Sequence, residues 1–404
     1  MRKFSFHTII LALSILMLTG NRTSGSLDSD WGFYGHRLIT ELAIYTLPTP
    51  LIGFYKKNRQ YLIDHSVDPD KRRHASEFEA IRHYIDIDHW GEYPYTEVPR
   101  EFELAIIKYA DFVMINGEKI DTLKKSIDQD HITLELDDVI ILKNELDSFI
   151  KMFQNDFMPH YYDQEWIVDG VQLDFIKDKV QIKIVDHFSE YGILPYNLNT
   201  MYYRLQKAMR EKNNQLILRL SADFGHYIGD GHVPLHTTEN YNGQLTGQEG
   251  IHAFWESRIP ELFAENEYDF FVGKAEYVED VGSFAWDFVL TSNQLVDSVL
   301  TVEKKLRNTF PEDQQYCYDD RNGLTIRQPC PEFAKAYQNA MGDLVESRMR
   351  AAIKAMGDLW YSAWIEAGQP VLDGNFTPLE IKPLSDSLPL SSGHAERISQ
   401  SNSN

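Results

Sequence analysis

The chain has 404 residues, 43% of them hydrophobic and 13% aromatic, and a formal net charge of -22. That size and apolar content support one large domain or two ordinary ones around a sizeable core, and exclude a disordered chain. The charge excludes broad adhesion to nucleic acid or anionic membrane, because most of the surface repels both.

The first thirty residues read as an export leader. Arg2 and Lys3 give a positive start, and residues 9–18 form an apolar run too short for a stable membrane span. The expected location is secreted or periplasmic. Apolar residues spaced three and four apart predict helices over 35–47, 51–64, 101–116, 142–157, 200–212, 215–228, 250–264, 281–305 and 331–367. Within 130–186, HITLELDDVIIL and WIVDGVQLDFIKDKVQIKIV carry β-branched residues with some alternation, which points to a small strand-containing insertion; the end of the first segment reads equally as helix. The expected fold is therefore mainly α: a single multi-helix domain over 31–375 with an insertion at roughly 90–198. From 376 onward Ser, Pro, Leu and Asn dominate, as in a disordered tail. Cys317 and Cys330, in YCYDDRNGLTIRQPC, are placed to close a small disulfide loop in an oxidising compartment, and neither reads as a metal ligand or nucleophile.

The densest chemistry lies in HYIGDGHVPLHTTENYNGQLTGQEGIHAFWESRIPEL. Two pairs four residues apart, His226 with Asp230 and His252 with Glu256, flank His236, giving five candidate metal ligands within thirty-one positions. Residues at i and i+4 project from one helix face, so each pair can grip one ion. An imidazole with a carboxylate suits zinc better than calcium or magnesium. One such pair alone is more often a surface hydrogen bond, so the weight rests on upstream partners. WGFYGH places Trp31 five positions before His36, and SVDPDKRR followed by RHYIDID places Asp68 fifteen before His83. Other histidines, among them His65, His74, His89, His160, His187 and His232, show no such pattern and read as surface or supporting groups.

The ordered set Trp31, His36, Asp68, His83, His226, Asp230, His236, His252 and Glu256 resembles the zinc-dependent single-strand nucleases of moulds, plants and bacteria, the nuclease P-one type, which share a superfamily with the bacterial zinc phospholipases C. The resemblance implies a mainly helical fold with three zinc ions at the bottom of a cleft. It implies that Asp68, His83, His226 and Asp230 hold one zinc. Asp230 then bridges to another, held also by His36 and by the amino group and carbonyl of Trp31, while His236, His252 and Glu256 hold the last. Six positive charges against three carboxylates leave a positive pocket that favours phosphate. The chemistry that follows is in-line hydrolysis of a phosphodiester by a zinc-activated water, whose pKa falls to roughly 7. Asp68 is the expected proton acceptor. No G-x-S-x-G elbow and no phosphate-cradling glycine loop competes with this reading.

Substrate is the finer question. Within the resemblance, HYID places Tyr84 where the nucleases stack a base and Asp86 where they bond its edge, and an aromatic face accepts single-stranded bases without regard to sequence. The plainer reading makes Tyr84 a core or rim aromatic and Asp86 a turn residue. Glu256 stands where the nucleases usually have aspartate. Lys71, followed by Arg72 and Arg73, stands three residues after Asp68, where they usually carry a phosphate-contacting arginine; a lysine brings charge without the bidentate fork. The span between His83 and His226 exceeds what the family needs, and cleavage ahead of Trp31 falls after Asp30, a poor position for a signal peptidase. The leading expectation is a secreted, monomeric zinc phosphodiesterase acting on single-stranded nucleic acid or nucleotides, with no stable protein partner. A phospholipase C acting on glycerophospholipid is the second, and a non-catalytic zinc-stabilised binding protein the third.

Overall fold

A computed structural model describes residues 33–73, 76–116, 118–156, 171–173, 181–321 and 324–372. The expected leader, Trp31 and the expected tail lie outside them. Helix dominates the described residues, with a small antiparallel sheet between the two helical parts. The helices before the sheet are α1 (Tyr34–Ile44), α2 (Leu51–Lys57), α3 (Arg59–His65), α4 (Asp68–Arg73), α5 (Glu77–Ala80) and α6 (Phe102–Tyr109). Helix α7 (Leu146–Asp156) packs on the sheet, and α8 (Leu194–Arg210) and α9 (Asn214–Gly231) follow it. The rest are α10 (Ile251–Ala253), α11 (Ile259–Glu267), α12 (Val281–Asn293), α13 (Val296–Thr309), α14 (Pro331–Met341) and α15 (Leu344–Glu366).

Helix α9 is the axis of the fold. Asn213 caps it by accepting the Leu216 N–H at 3.2 Å. From Leu220 to Gly231 every residue is buried, and α1, α3, α8, α12 and α15 pack around the helix. A helix buried on all sides can carry polar residues only where each finds a partner. Ser221 meets the Tyr55 hydroxyl at 2.8 Å, Asp223 accepts from Arg72 at 3.2 Å, and His226 and Asp230 enter the site described below. Two glycines let the neighbours approach. A Cβ on Gly225 would lie 3.0 Å from Met356 Sδ of α15, and one on Gly229 would lie 2.8 Å from His36 Nδ1 of α1.

Several predicted helices are interrupted where the backbone must turn. The 331–367 helix breaks at Gly342, which sits at φ +66, and the 281–305 helix breaks at Gln294 and Leu295. The 101–116 expectation is corrected more deeply. Helix α6 stops at Tyr109, and the next residues form β1 (Asp111–Asn116), because Phe112 and Met114 point alternately into the core. β2 (Lys119–Ile127), β3 (His131–Leu136) and β4 (Val139–Glu145) follow as a meander, and β5 (Val171–Leu173) and β6 (Gln181–Val185) complete a sheet of order β4-β3-β2-β1-β6-β5. Every pairing in it is antiparallel. Asp137 and Asp138 both take positive φ, 47 and 63, which makes the β3–β4 connection the two-residue turn that matches strand twist. The predicted 142–157 helix accordingly starts only at Leu146; its fully buried Phe149 and Phe153 cover the sheet. Lys125 of β2 donates to the carbonyls of Ile107, Lys108 and Ala110, satisfying the open end of α6 and tying it to the sheet.

The chain leaving β6 returns beside the residues around His83. Ile193 N donates to Ile81 O at 2.8 Å, Leu194 N to Tyr84 O at 3.1 Å, and Asp86 N to Tyr191 O at 2.7 Å. The insertion is thus stitched by backbone bonds to the wall of the site. Near the C-terminal end, β7 (Tyr316–Arg321) and β8 (Leu324–Pro329) form a hairpin closed by a disulfide between Cys317 and Cys330. Among the described residues no helix is long and apolar enough to cross a membrane.

Candidate metal centre

Each candidate ligand comes from an element with its own local reason. His36 sits in the first turn of α1, and Asp70 lies in the short α4. His83 follows α5, while His226 and Asp230 lie one turn apart at the buried end of α9. His236 is on a 3-10 turn, Pro234–Thr237, opened by a proline that pre-sets its backbone. His252 is on α10, and Glu256 is on a π-helical turn, Phe254–Arg258, that widens the helix predicted over 250–264. Such single-turn bulges re-aim side chains and recur at functional sites.

The fold brings these eight side chains into three groups, His36 with His226 and Asp230, Asp70 with His83 and His226, and His236 with His252 and Glu256, the donor atoms of each group lying within 4.8 Å of one another. In the inner part, His83 Nδ1 lies 2.9 Å and His226 Nε2 3.4 Å from Asp230 Oδ2. Asp70 Oδ1 lies 3.9 Å from His83 Nδ1 and 3.7 Å from His226 Nε2. His226 Nε2 and His83 Nδ1 are 3.2 Å apart. Donors about 2.0–2.2 Å from a tetrahedral zinc stand roughly 3.3–3.5 Å from one another, so this quartet brackets the size that zinc requires. At the outer part, His252 Nε2 lies 2.7 Å from Glu256 Oε2 and 3.3 Å from His236 Nε2, which is itself 3.5 Å from Glu256 Oε2.

Three of the five far ring nitrogens are held by carbonyls, which can only accept. His226 Nδ1 donates to Ser66 O at 2.8 Å, His236 Nδ1 to His83 O at 2.7 Å, and His252 Nδ1 to Tyr241 O at 3.2 Å. Those bonds fix the tautomer and turn the Nε2 lone pairs inward. Two such lone pairs facing each other at 3.3 Å repel, and a cation between them reverses the sign. The carboxylates point the same way. Burial and the charges of Asp70 and Glu256 push Asp230 well above the ordinary carboxylate range. Against burial, Arg73 and His83 hold Asp70 below it. Burial and the His226 ring hold His83 well below the usual imidazole range, and burial and the His36 ring do the same to His226. Neutral imidazoles around crowded carboxylates form the donor set a divalent metal takes, and bound metal removes the carboxylate repulsion.

Asp68, expected as ligand and proton acceptor, lies outside the three groups and is corrected to Asp70. Its carboxylate faces His65 and Lys71 instead, with Lys71 Nζ at 3.3 Å. Successive residues on a helix are turned by about 100°, so Asp68 and Asp70 point to nearly opposite sides and only one can meet His83 and His226. The same shift moves the cationic position. Lys71 is exposed beside Asp68, while Arg73, mostly buried, lies with Nη1 3.4 Å from Asp70 Oδ1. Arg73 and Asp70 repeat, two residues on, the i, i+3 spacing of Lys71 and Asp68, and that repetition is the signal that was available.

Tyr84 is 4% exposed and its hydroxyl donates to Glu190 O at 3.0 Å; a Cβ on Gly192, at φ +89, would lie 2.6 Å from its ring. The insertion therefore covers this ring, and it does not present the open face expected for a stacked base. Asp86 is buried as well. The remaining histidines, so far as described, serve elsewhere: His232 stacks on Phe288 with ring centroids 4.4 Å apart, and His89 stacks on Tyr191 at 3.5 Å. His74 and His160 lie outside the described residues. No family model matches the chain, and no curated protein matches it.

Proposed function

We infer that this chain is a zinc-dependent hydrolase of phosphodiesters. The observation that carries the reading is the split use of Asp230: Oδ2 faces His83 and His226, while Oδ1 lies 3.4 Å from His36 and 3.8 Å from His236. A carboxylate placed to serve two ions at once is a means of holding metals close enough to act on one phosphate. The resemblance to the zinc nucleases and phospholipases C supports the same reading, with Asp70 and Arg73 now in the positions first given to Asp68 and Lys71. Zinc in this centre supplies Lewis acidity toward a phosphoryl oxygen and a water of lowered pKa.

The protein's own groups divide the remaining work. Asp70, held ionised by Arg73, is the carboxylate placed to accept a proton beside the ions. Arg73 offers a planar fork to a non-bridging phosphate oxygen, which Lys71 could not. In an acidic protein, substrate is then recruited locally through phosphate. Because Tyr84 and Asp86 are covered, recognition rests on the phosphate and not on a base stacked at Tyr84. That removes the main ground for preferring nucleic acid over phospholipid. The disulfide between Cys317 and Cys330 fits an exported protein.

The test is zinc content of the purified chain together with hydrolysis of single-stranded DNA, RNA and phosphatidylcholine in parallel. Zinc-dependent release of product from at least one of them is expected, and Asp230→Ala is expected to abolish it. Full activity in Asp230→Ala, or tight zinc without hydrolysis of any phosphodiester, overturns the reading.

A further inference from the structure

His36 stands between two carboxylates. Its Nε2 lies 3.4 Å from Asp230 Oδ1 and 3.3 Å from Glu256 Oε1. Both separations equal the donor-to-donor edge of roughly 3.3–3.5 Å around a tetrahedral zinc. Glu256 divides its oxygens as Asp230 does, since its other oxygen, Oε2, faces His252 at 2.7 Å and His236 at 3.5 Å. The two carboxylates thus flank one imidazole, each turning one oxygen toward it and the other toward a different pair of histidines.

The surroundings hold this arrangement in place. The His36 ring stacks on His226 with centroids 4.0 Å apart, and Gly229 lies against its Nδ1 edge with room for no side chain. The backbone of Glu256 runs beside the start of α1, where a Cβ on Gly35 would be 3.7 Å from Glu256 O. The π-helical turn supplies the sideways offset and the glutamate supplies length. One methylene fewer shortens the reach between His252 and His36, which the variant below tests.

We propose that Glu256 is a second bridging carboxylate, so that the zinc beside His36 is held by the side chains of His36, Asp230 and Glu256 and needs no free amine at Trp31. This rests on the metal-centre reading above and deepens it. It makes loading of the third ion independent of where the chain is cut, and leaves the fourth tetrahedral position at that ion open to substrate or water.

The experiment uses the full 404-residue chain, in which residue 31 is an internal amide, and reads zinc per chain by mass spectrometry after equilibrium dialysis and by calorimetric titration. Three ions are expected for the unaltered chain and two for Glu256→Asp, with the fold checked by circular dichroism. Should that variant misfold, Glu256→Gln keeps the length but removes the charge and replaces one ligating oxygen with an amide nitrogen that cannot ligate, and fewer than three ions are expected. Only two ions in the unaltered full chain overturns the proposal, as does retention of three in a folded Glu256 variant. Absence of zinc from the unaltered chain is a different result, because it removes the metal centre altogether.

Discussion

At the scale of single residues, the site depends on which of two nearly adjacent aspartates points inward. Asp70→Asn is expected to lower zinc affinity and hydrolysis by more than the roughly 10–100-fold that follows loss of an outer partner, while Asp68→Asn, whose carboxylate faces His65 and Lys71, stays within a few fold. Equal losses in the two variants, measured by zinc titration and initial rates, would count against Asp70. Gly229 offers a test of packing. Alanine in a helix interior gains about 1 kcal/mol over glycine, but overpacking costs about 1–3 kcal/mol, and the new Cβ would lie 2.8 Å from His36 Nδ1. Gly229→Ala is therefore expected to be less stable by thermal melting and to lose the ion beside His36, although its helix propensity rises.

At the scale of elements, α4 carries both Asp70 and Arg73 yet has only six residues, too few to hold itself. Arg72 anchors it. Its guanidinium donates to Asp223 of α9 at 3.2 Å and to Glu79 of α5 at 3.1 Å, while Glu79 also accepts from Arg82 at 2.8 Å and from the Tyr227 hydroxyl. Tyr227 in turn sets its ring edge-on to His83 at 5.2 Å. Removing Arg72 leaves Asp223 without its guanidinium partner in a buried setting. With a 29% exposed side chain it falls at or below the low end of the 3–5 kcal/mol known for broken buried pairs, about 2–3 kcal/mol. Arg72→Met is expected to lower the urea midpoint accordingly and to weaken zinc binding through α4. Unchanged zinc affinity would show that α4 is held by other contacts. The element boundaries in the sequence were uneven for a related reason. Apolar periodicity marks α8, α9 and α15 because their faces are buried along most of their length. It misleads over 101–116, where a helix passes into a strand without a break in hydrophobicity.

For the whole molecule, metal and pH act on one balance. Chelation is expected to lower the melting temperature, since ions that bind the folded chain stabilise it by mass action. In the metal-free protein, burial first of all holds His83, His226, His232 and His236 below the ordinary imidazole pKa. The unfolded chain protonates these histidines below about pH 6.5, before the folded chain does. It then binds more protons, so stability falls as pH drops through 6.5 toward 5. Asp230 has the opposite sign, because its raised carboxyl takes up a proton first in the folded chain, and Asp88, Asp186, Asp223 and Asp358, also raised by burial, share that sign; the four histidines are expected to outweigh them between pH 7 and 5. Melting curves of chelated protein between pH 7 and 5 that rise or stay level would contradict this balance.

The sequence by itself determined the helical class and most of the donor set, because helical periodicity and i, i+4 spacing are local and survive without knowledge of the fold. His226, Asp230, His252 and Glu256 were legible as candidates for that reason, with His236 between them, while His36 and His83 were added through the resemblance that the ordered set carries. Only the tertiary structure decided Asp70 over Asp68, since the choice depends on how a short helix is rotated against α9. It alone covered Tyr84, because the residues that cover it come from Glu190 to Gly192, more than a hundred positions later. It alone brought Glu256 beside His36, where a π-helical turn, invisible in hydrophobic pattern, sets how far a glutamate reaches.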